Sequence, residues 1–250
     1  MRHEPKMLQG IEHVFNRGIE RETLRCDASG QLALTPHSTK LGAKLSHPYI
    51  TTDFSESQLE LITPVSTRVD DAVSMLSAIH TFTAENLDDE LLWPFSMPCN
   101  LPADDAAIPL ADYGISNPGL MKKTYRRGLG MRYGRSMQTI CAIHYNLSFS
   151  DEFWAKLGAL EGADGSDSTY RSKRYFDLMR NFRRWSWLLL YLFGASPVVA
   201  ASFVHNKDHA LEQLTNDTYY LPFATSLQRP IGLSEQHAIW SAQSLLQLTR

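Results

Sequence analysis

The stretch Arg17-Gly18-Ile19-Glu20-Arg21-Glu22-Thr23-Leu24-Arg25 concentrates groups that can do chemistry. In a β-strand, side chains alternate between faces, so Glu20 and Glu22 share one face and Arg17, Arg21 and Arg25 the other. Two carboxylates side by side repel unless cations lie between them. Hard divalent ions such as Mg2+ take oxygen ligands and often join carboxylates to substrate phosphates. A solvated face of mixed charge is the alternative, and this stretch by itself leaves both open. A second acidic strand pattern follows, in which Gln58, Glu60 and Ile62 alternate with Leu59, Leu61 and Thr63. A carboxylate in such a run faces solvent or meets a cation, because burying it alone is costly.

Two further groups carry chemistry. A helix from Leu120 to about Tyr133 holds Lys122, Lys123, Arg126, Arg127 and Arg132. They form either a solvated face or a clamp for a polyanion, for which Arg has bidentate geometry. In the strand pattern Thr139–Ser150, Cys141, Ile143, Tyr145, Leu147 and Phe149 form an apolar face. His144 and Asn146 share the other face, as site or as structural residues. There is no GxxxxGKS/T loop and no GxGxxG opening a helix. A nucleotide here would be handled without a glycine cradle, by metal ions on carboxylates.

The elements that position these groups read as α+β. A helix with Thr67 and Asp70 as capping pair follows the acidic strands and ends near Asp88-Asp89-Glu90. Pro94, Pro98, Pro102 and Pro109 keep Leu91–Pro109 irregular, and Ser116-Asn117-Pro118-Gly119 reads as a turn. A second long helix begins near Ser166-Asp167-Ser168, with Tyr175, Leu178, Met179, Phe182, Trp185 and Leu189 as its buried stripe. Trp185–Val204 is apolar enough to test against a membrane span, but Gly194 and Pro197 interrupt it. The segment fits a helix ending at Gly194 and a new element starting at Pro197.

Composition sets the outer bounds. With 250 residues, 43% hydrophobic and 20% charged, the chain can bury a core like an ordinary globular protein. A net charge of -3 argues against a nucleic-acid binder. Cys26, Cys99 and Cys141 lie far apart and are odd in number, which favours a reducing compartment over a disulfide scaffold. The N-terminus lacks an apolar signal core, so a cytoplasmic location is expected.

A family resemblance gathers these pieces. It rests on Arg17–Arg25, on Ile50-Thr51-Thr52-Asp53-Phe54 with Glu60, and on Leu92-Trp93-Pro94-Phe95-Ser96-Met97-Pro98-Cys99. It continues through Thr124-Tyr125-Arg126-Arg127-Gly128-Leu129, Met137-Gln138-Thr139-Ile140 and His144-Tyr145-Asn146. Tyr191-Leu192-Phe193-Gly194-Ala195-Ser196-Pro197 and Tyr219-Tyr220-Leu221-Pro222-Phe223-Ala224-Thr225-Ser226-Leu227 complete it. In these residues the chain resembles the proteobacterial-type glutamate–cysteine ligase family. The resemblance implies an antiparallel sheet curved into a glutamine-synthetase-like funnel, flanked by helices. It also implies that L-glutamate, L-cysteine and ATP meet there over Mg2+ ions in the first step of glutathione synthesis. By position, Glu20, Glu22, Asp53, Glu60 and His144 would ligate metal or stand immediately behind the ligands. Tyr125 and Leu129 would help form the cysteine pocket. Arg126 would reach the transferred phosphate, and Gln138 and Asn146 would line the glutamate side.

The chain also departs from the family. The family is about twice this length, and Gln228 stands where it usually has Arg. The expected reading is therefore two parts: residues 1–228 as the N-terminal part of the catalytic domain, and residues 229–250 as a divergent tail. Suitable codons for the tail, read one nucleotide later, give Arg-Leu-Gly-Tyr-Gln-Ser, the family's usual continuation, so a frameshift would account for it. An inactive fragment, retaining at most weak metal or substrate binding, is the accompanying alternative.

Overall fold

The computed structural model describes residues 15–193, 197–205 and 207–223. The expectations for Gly194-Ala195-Ser196, for Ala224 to Leu227, for Gln228 and for the tail lie outside the described residues.

The main sheet is built around β1 (Phe15–Cys26), whose long extended run places its acidic residues. β2 (Ile50–Thr52) pairs with β3 (Gln58–Ile62), and β3 pairs antiparallel with one edge of β1. The Leu59 and Leu61 side chains face α1 (Val69–Glu85) and join Leu41, Ile50, Ile79 and Leu87 in one core. The other edge of β1 takes β5 (Ile143–Phe149) and then the short β4 (Leu91–Leu92). α2 (Asn117–Tyr133) lies between β4 and β5 in sequence. α3 (Asp151–Glu161) and α4 (Ser168–Phe193) follow, and Trp154 of α3 is fully buried among Phe149, Phe153, Tyr170 and Tyr175. Gly165 lets the α3–α4 connection pass against Trp154: a Cβ there would sit 2.1 Å from the Trp154 carbonyl oxygen. A second sheet, in the order β6 (Val198–Ala200), β8 (Thr218–Tyr220), β7 (Glu212–Thr215), closes the described chain, with the short α5 (Ala201–Val204) after β6. Val199, Phe203 and Val204 join the second core, together with Leu24, Ile108 and the three cysteines.

The architecture is α+β with antiparallel sheets, and among the described residues the main sheet is open rather than closed into a barrel. Cys26, Cys99 and Cys141 are all buried and unpaired. No described helix is long and apolar enough to cross a membrane.

Several boundaries differ from the sequence reading. α1 is capped by Arg68 without a side-chain hydrogen bond, not by Thr67 and Asp70. Arg68 instead lies near Asp70 and Asp71, whose charges suit the first turn. Ser116-Asn117-Pro118-Gly119 is no free turn but the start of α2: the Ser116 hydroxyl accepts from the Gly119 N–H, and Pro118 occupies the first turn. β5 starts only at Ile143, because Ser136–Thr139 forms a 3-10 turn. α3 has no counterpart in the sequence reading. The stripe on α4 is covered only in part: Tyr175 packs against Phe149 and Trp154 and Met179 is half-buried, while Leu178, Phe182, Trp185 and Leu189 are exposed.

Candidate active site

Strand register assembles the acidic residues. Glu22 stands directly opposite Glu60, and Glu60 opposite Thr51, forming one row across β1, β3 and β2. One step along β1, Glu20 stands opposite His144 of β5, and Gly18 opposite Asn146. Directly opposed residues share a face, so one side of the sheet carries three glutamates, a histidine and an asparagine. The arginines leave from the other side. Arg25 is buried and paired with Glu90, Arg17 reaches the Thr67 carbonyl, and Arg21 donates to the Pro94 carbonyl at 3.3 Å. The sheet thus separates a carboxylate face from a face of guanidinium anchors.

Hydrogen bonds fix the carboxylates. Glu22 Oε1 lies 2.9 Å from His144 Nε2, and Glu22 Oε2 accepts from the Ala142 N–H at 2.8 Å and from Gln58 Nε2 at 3.3 Å. Glu20 Oε1 accepts from Asn146 Nδ2 at 2.8 Å. Asp53 follows β2, its backbone held by the Asp53 N–H to Gln58 carbonyl bond at 2.9 Å. Its carbonyl oxygen accepts from Arg126 Nε, which ties α2 to the end of the acidic row.

Charge is crowded here. Burial pushes the Glu60 carboxyl up to about 8, and the carboxylates of Asp53, Glu22 and Glu20 add to it while His144 opposes it. Burial likewise raises Asp53 to about 7, with Glu22 adding and Arg126 opposing. The hydrogen bond to Glu22 raises His144 above the usual imidazole range, against the effect of its burial. Such a cluster is short of positive charge, and its oxygen-rich donor set fits a hard divalent cation in chemistry. As the side chains stand, no group of three or more His, Cys, Asp or Glu among the described residues is arranged to hold an ion. Glu22 and Glu20 are engaged by His144, Gln58, Ala142 and Asn146 instead.

The remaining expected site residues spread more widely. Tyr125 is exposed on α2, Leu129 is half-buried one turn on, and Gln138 sits in the 3-10 turn before β5. Among the described residues, none of the three hydrogen-bonds to the acidic cluster. Two contributors escaped the sequence reading as site residues. Gln58 lies on the Glu60 face by simple alternation, a signal the pattern already contained. Tyr113, whose hydroxyl donates to the Thr52 carbonyl at 2.5 Å, is linked to the site only through tertiary structure.

The glutamate–cysteine ligase family model matches residues 3–238. The chain belongs to this family. It is 52% identical over 212 residues to the glutamate–cysteine ligase of Janthinobacterium sp., covering 85% of this chain and 40% of that protein. With the glutamate–cysteine ligase of Pseudomonas aeruginosa it shares 53% identity over 211 residues, again 40% of that protein. The crystal structure of the glutamate–cysteine ligase of Francisella tularensis in complex with AMP superposes with a TM-score of 0.77 and 42% identity. It covers 86% of this chain and 42% of that one. A bifunctional glutathione synthetase from Pasteurella multocida superposes with a TM-score of 0.69 and 36% identity, over 77% of this chain and 25% of that one. The chain spans about 40% of the length of the curated relatives it matches.

Proposed function

We propose that this chain carries the N-terminal part of an ATP-dependent ligase site that joins the γ-carboxylate of L-glutamate to the amine of L-cysteine. The observation that carries the reading is the Glu22–Glu60 row, with Glu20, His144 and Asp53 around it and Arg126 at its end. AMP in the Francisella relative supports nucleotide binding on this scaffold.

A carboxylate is a poor acyl donor. In this reading an oxygen of the glutamate γ-carboxylate attacks the γ-phosphorus of ATP, and the bond to ADP breaks. The cysteine amine nitrogen then attacks the acyl carbon of the γ-glutamyl phosphate, phosphate leaves, and the amine gives up its proton. Negative charge crowds the phosphoryl oxygens in that step, and Arg126 would meet it. Asn146 and Gln138 would bind the glutamate, while Tyr125 and Leu129 would wall the cysteine. Glu20, Glu22, Asp53, Glu60 and His144 would hold Mg2+, giving up present hydrogen bonds to do so. Bound there, Mg2+ would supply charge neutralisation for phosphoryl transfer. Ligands on strands hold ions more firmly than ligands on loops. The compartment proposed for this chemistry is the cytoplasm.

A second reading has its own support. The chain covers 40% of its relatives, and α4 shows an uncovered apolar face, as in a fragment that binds without turning over. The tail from residue 229 is then the product of a shifted frame, and a gene sequence without a family-like continuation in the neighbouring frame would remove that idea. Phosphate release from ATP separates the two readings. Release that requires both glutamate and cysteine, and is lost in Glu20→Gln, supports the ligase. Folded protein that binds Mg2+ but releases no phosphate supports the fragment.

A further inference from the structure

Tyr113 lies in the segment between β4 and α2 and is buried, with 6% of its surface exposed. Its hydroxyl donates to the Thr52 carbonyl at 2.5 Å and accepts from Thr52 Oγ1 at 3.1 Å, next to Asp53. Three cations face its ring. The Arg126 guanidinium carbon is 4.8 Å from the ring centroid, Lys122 Nζ 5.0 Å and Lys44 Nζ 5.6 Å. Lys44 is spent on an ion pair with Glu56, both side chains nearly buried. Lys122 and Arg126 differ. They sit four residues apart on one face of α2, and among the described residues neither side chain is ion-paired with a carboxylate. An aromatic face attracts a cation through its quadrupole and leaves the charge un-neutralised. A carboxylate in the same place would hold the cation but compete with any incoming anion.

We propose that Tyr113 is a positioning residue that holds Arg126 at the end of the acidic row with its charge available, and that Lys122 on the same ring is a second cation for a phosphoryl group. The phosphoryl part rests on the proposed role of Arg126 at the transferred phosphate; the positioning part does not. Arg126 is thereby fixed at three points: the Tyr113 ring, the Asp53 carbonyl and the Lys122 carbonyl, which accepts from Nη1 at 3.1 Å.

The test uses the 250-residue chain and begins without a ligand. Solvent exchange of the Arg126 Nε–H is followed by NMR, with the β1 amides as the gauge of global integrity. Tyr113→Leu is expected to speed that exchange about threefold to thirtyfold, the span of a cation–π contact, with β1 amides unchanged. Tyr113→Phe, which keeps the ring, keeps the wild-type rate. An unchanged rate in Tyr113→Leu overturns the proposal, as does a faster rate that comes only with general loss of β1 protection. Should Tyr113→Leu not fold, the unmodified protein decides: ring-current-shifted Lys122 ε and Arg126 δ protons support the platform, and ordinary shifts overturn it. Calorimetric titration with inorganic tripolyphosphate and Mg2+ then tests the anion. Tyr113→Leu, Lys122→Gln and Arg126→Ala are each expected to weaken binding several-fold. If only Arg126→Ala does so, the role of Lys122 and of the ring in anion binding is overturned. No binding at all, or binding that Arg126→Ala leaves untouched, sinks the phosphoryl reading, while the exchange rates still decide the role of Tyr113.

Discussion

Glu22 is the residue on which the site turns, since it accepts from His144, Ala142 and Gln58 while facing Glu60. Glu22→Gln is expected to bring the His144 pKa down towards the ordinary imidazole range, because its hydrogen bond to a carboxylate is what raises it. NMR titration of the imidazole checks this, and an unmoved His144 would mean another group sets its protonation. Metal-free stability should also fall with rising pH. The sign comes from proton binding: Asp53 and Glu60 keep their protons in the fold to about 7 and about 8, well above the unfolded carboxylate range near ~4. Between those values the folded state holds more protons, so raising the pH favours unfolding, and His144, raised in the fold, pulls the same way. Thermal melts should show a decline from about pH 4 to about pH 8. Glu60→Gln should flatten much of it, and added Mg2+ should offset it. A flat profile in the unmodified chain would contradict the crowding of carboxylates on this face. The pairing of Glu20 with Glu22, and the alternation around Glu60, were legible in the sequence because side-chain period in a strand is local. Tyr113 was not, since its partner Thr52 is 61 residues away.

At the scale of elements, α2 shows why boundaries are harder to read than faces. Ser116 to Gly119 carries turn-forming residues, but the same residues serve as N-cap and first turn, and only the packing of the helix body decides between them. Gly119 is where that packing is closest: a Cβ there would lie 2.6 Å from the Tyr113 carbonyl oxygen and 2.9 Å from that of Gly114. Gly119→Ala should therefore push α2 off the Tyr113 segment and cost about 1–3 kcal/mol, as overpacking does. It should also loosen Arg126. Denaturation checks the stability term, and an alanine variant as stable as the parent would show that the contact yields freely. The stretch around Glu60 is readable because Leu59 and Leu61 are fully buried on its other face, and that around Glu20 because carboxylates and guanidiniums alternate along it. α3 was missed because its apolar residues, Phe153 and Trp154 above all, join an aromatic cluster assembled with β5 and α4 rather than a regular stripe.

At the scale of the molecule, apolar surface on α4 and β5 stands exposed among the described residues. Trp185 and Trp187 of α4 are more than half exposed, and Ile143 and Tyr145 on β5 stand 66% and 54% exposed. Helical spacing on α4 correctly signals an apolar stripe, but spacing cannot say whether the covering element is present. Contiguous exposed apolar surface beside an open sheet promotes association. Sedimentation should accordingly find the chain self-associating, and Trp185→Glu with Leu192→Glu should raise the monomer fraction without lowering the melting temperature. A monodisperse monomer in the unmodified chain would show that the face is covered after all. The carboxylate row on the other side of the sheet is the proposed divalent-cation site for phosphoryl chemistry. Mn2+ titration followed by electron paramagnetic resonance tests it most directly. Saturable binding is expected, displaced by Mg2+ and lost in a folded Glu22→Gln/Glu60→Gln variant. Equal binding by that variant, or none by the unmodified folded chain, would contradict it.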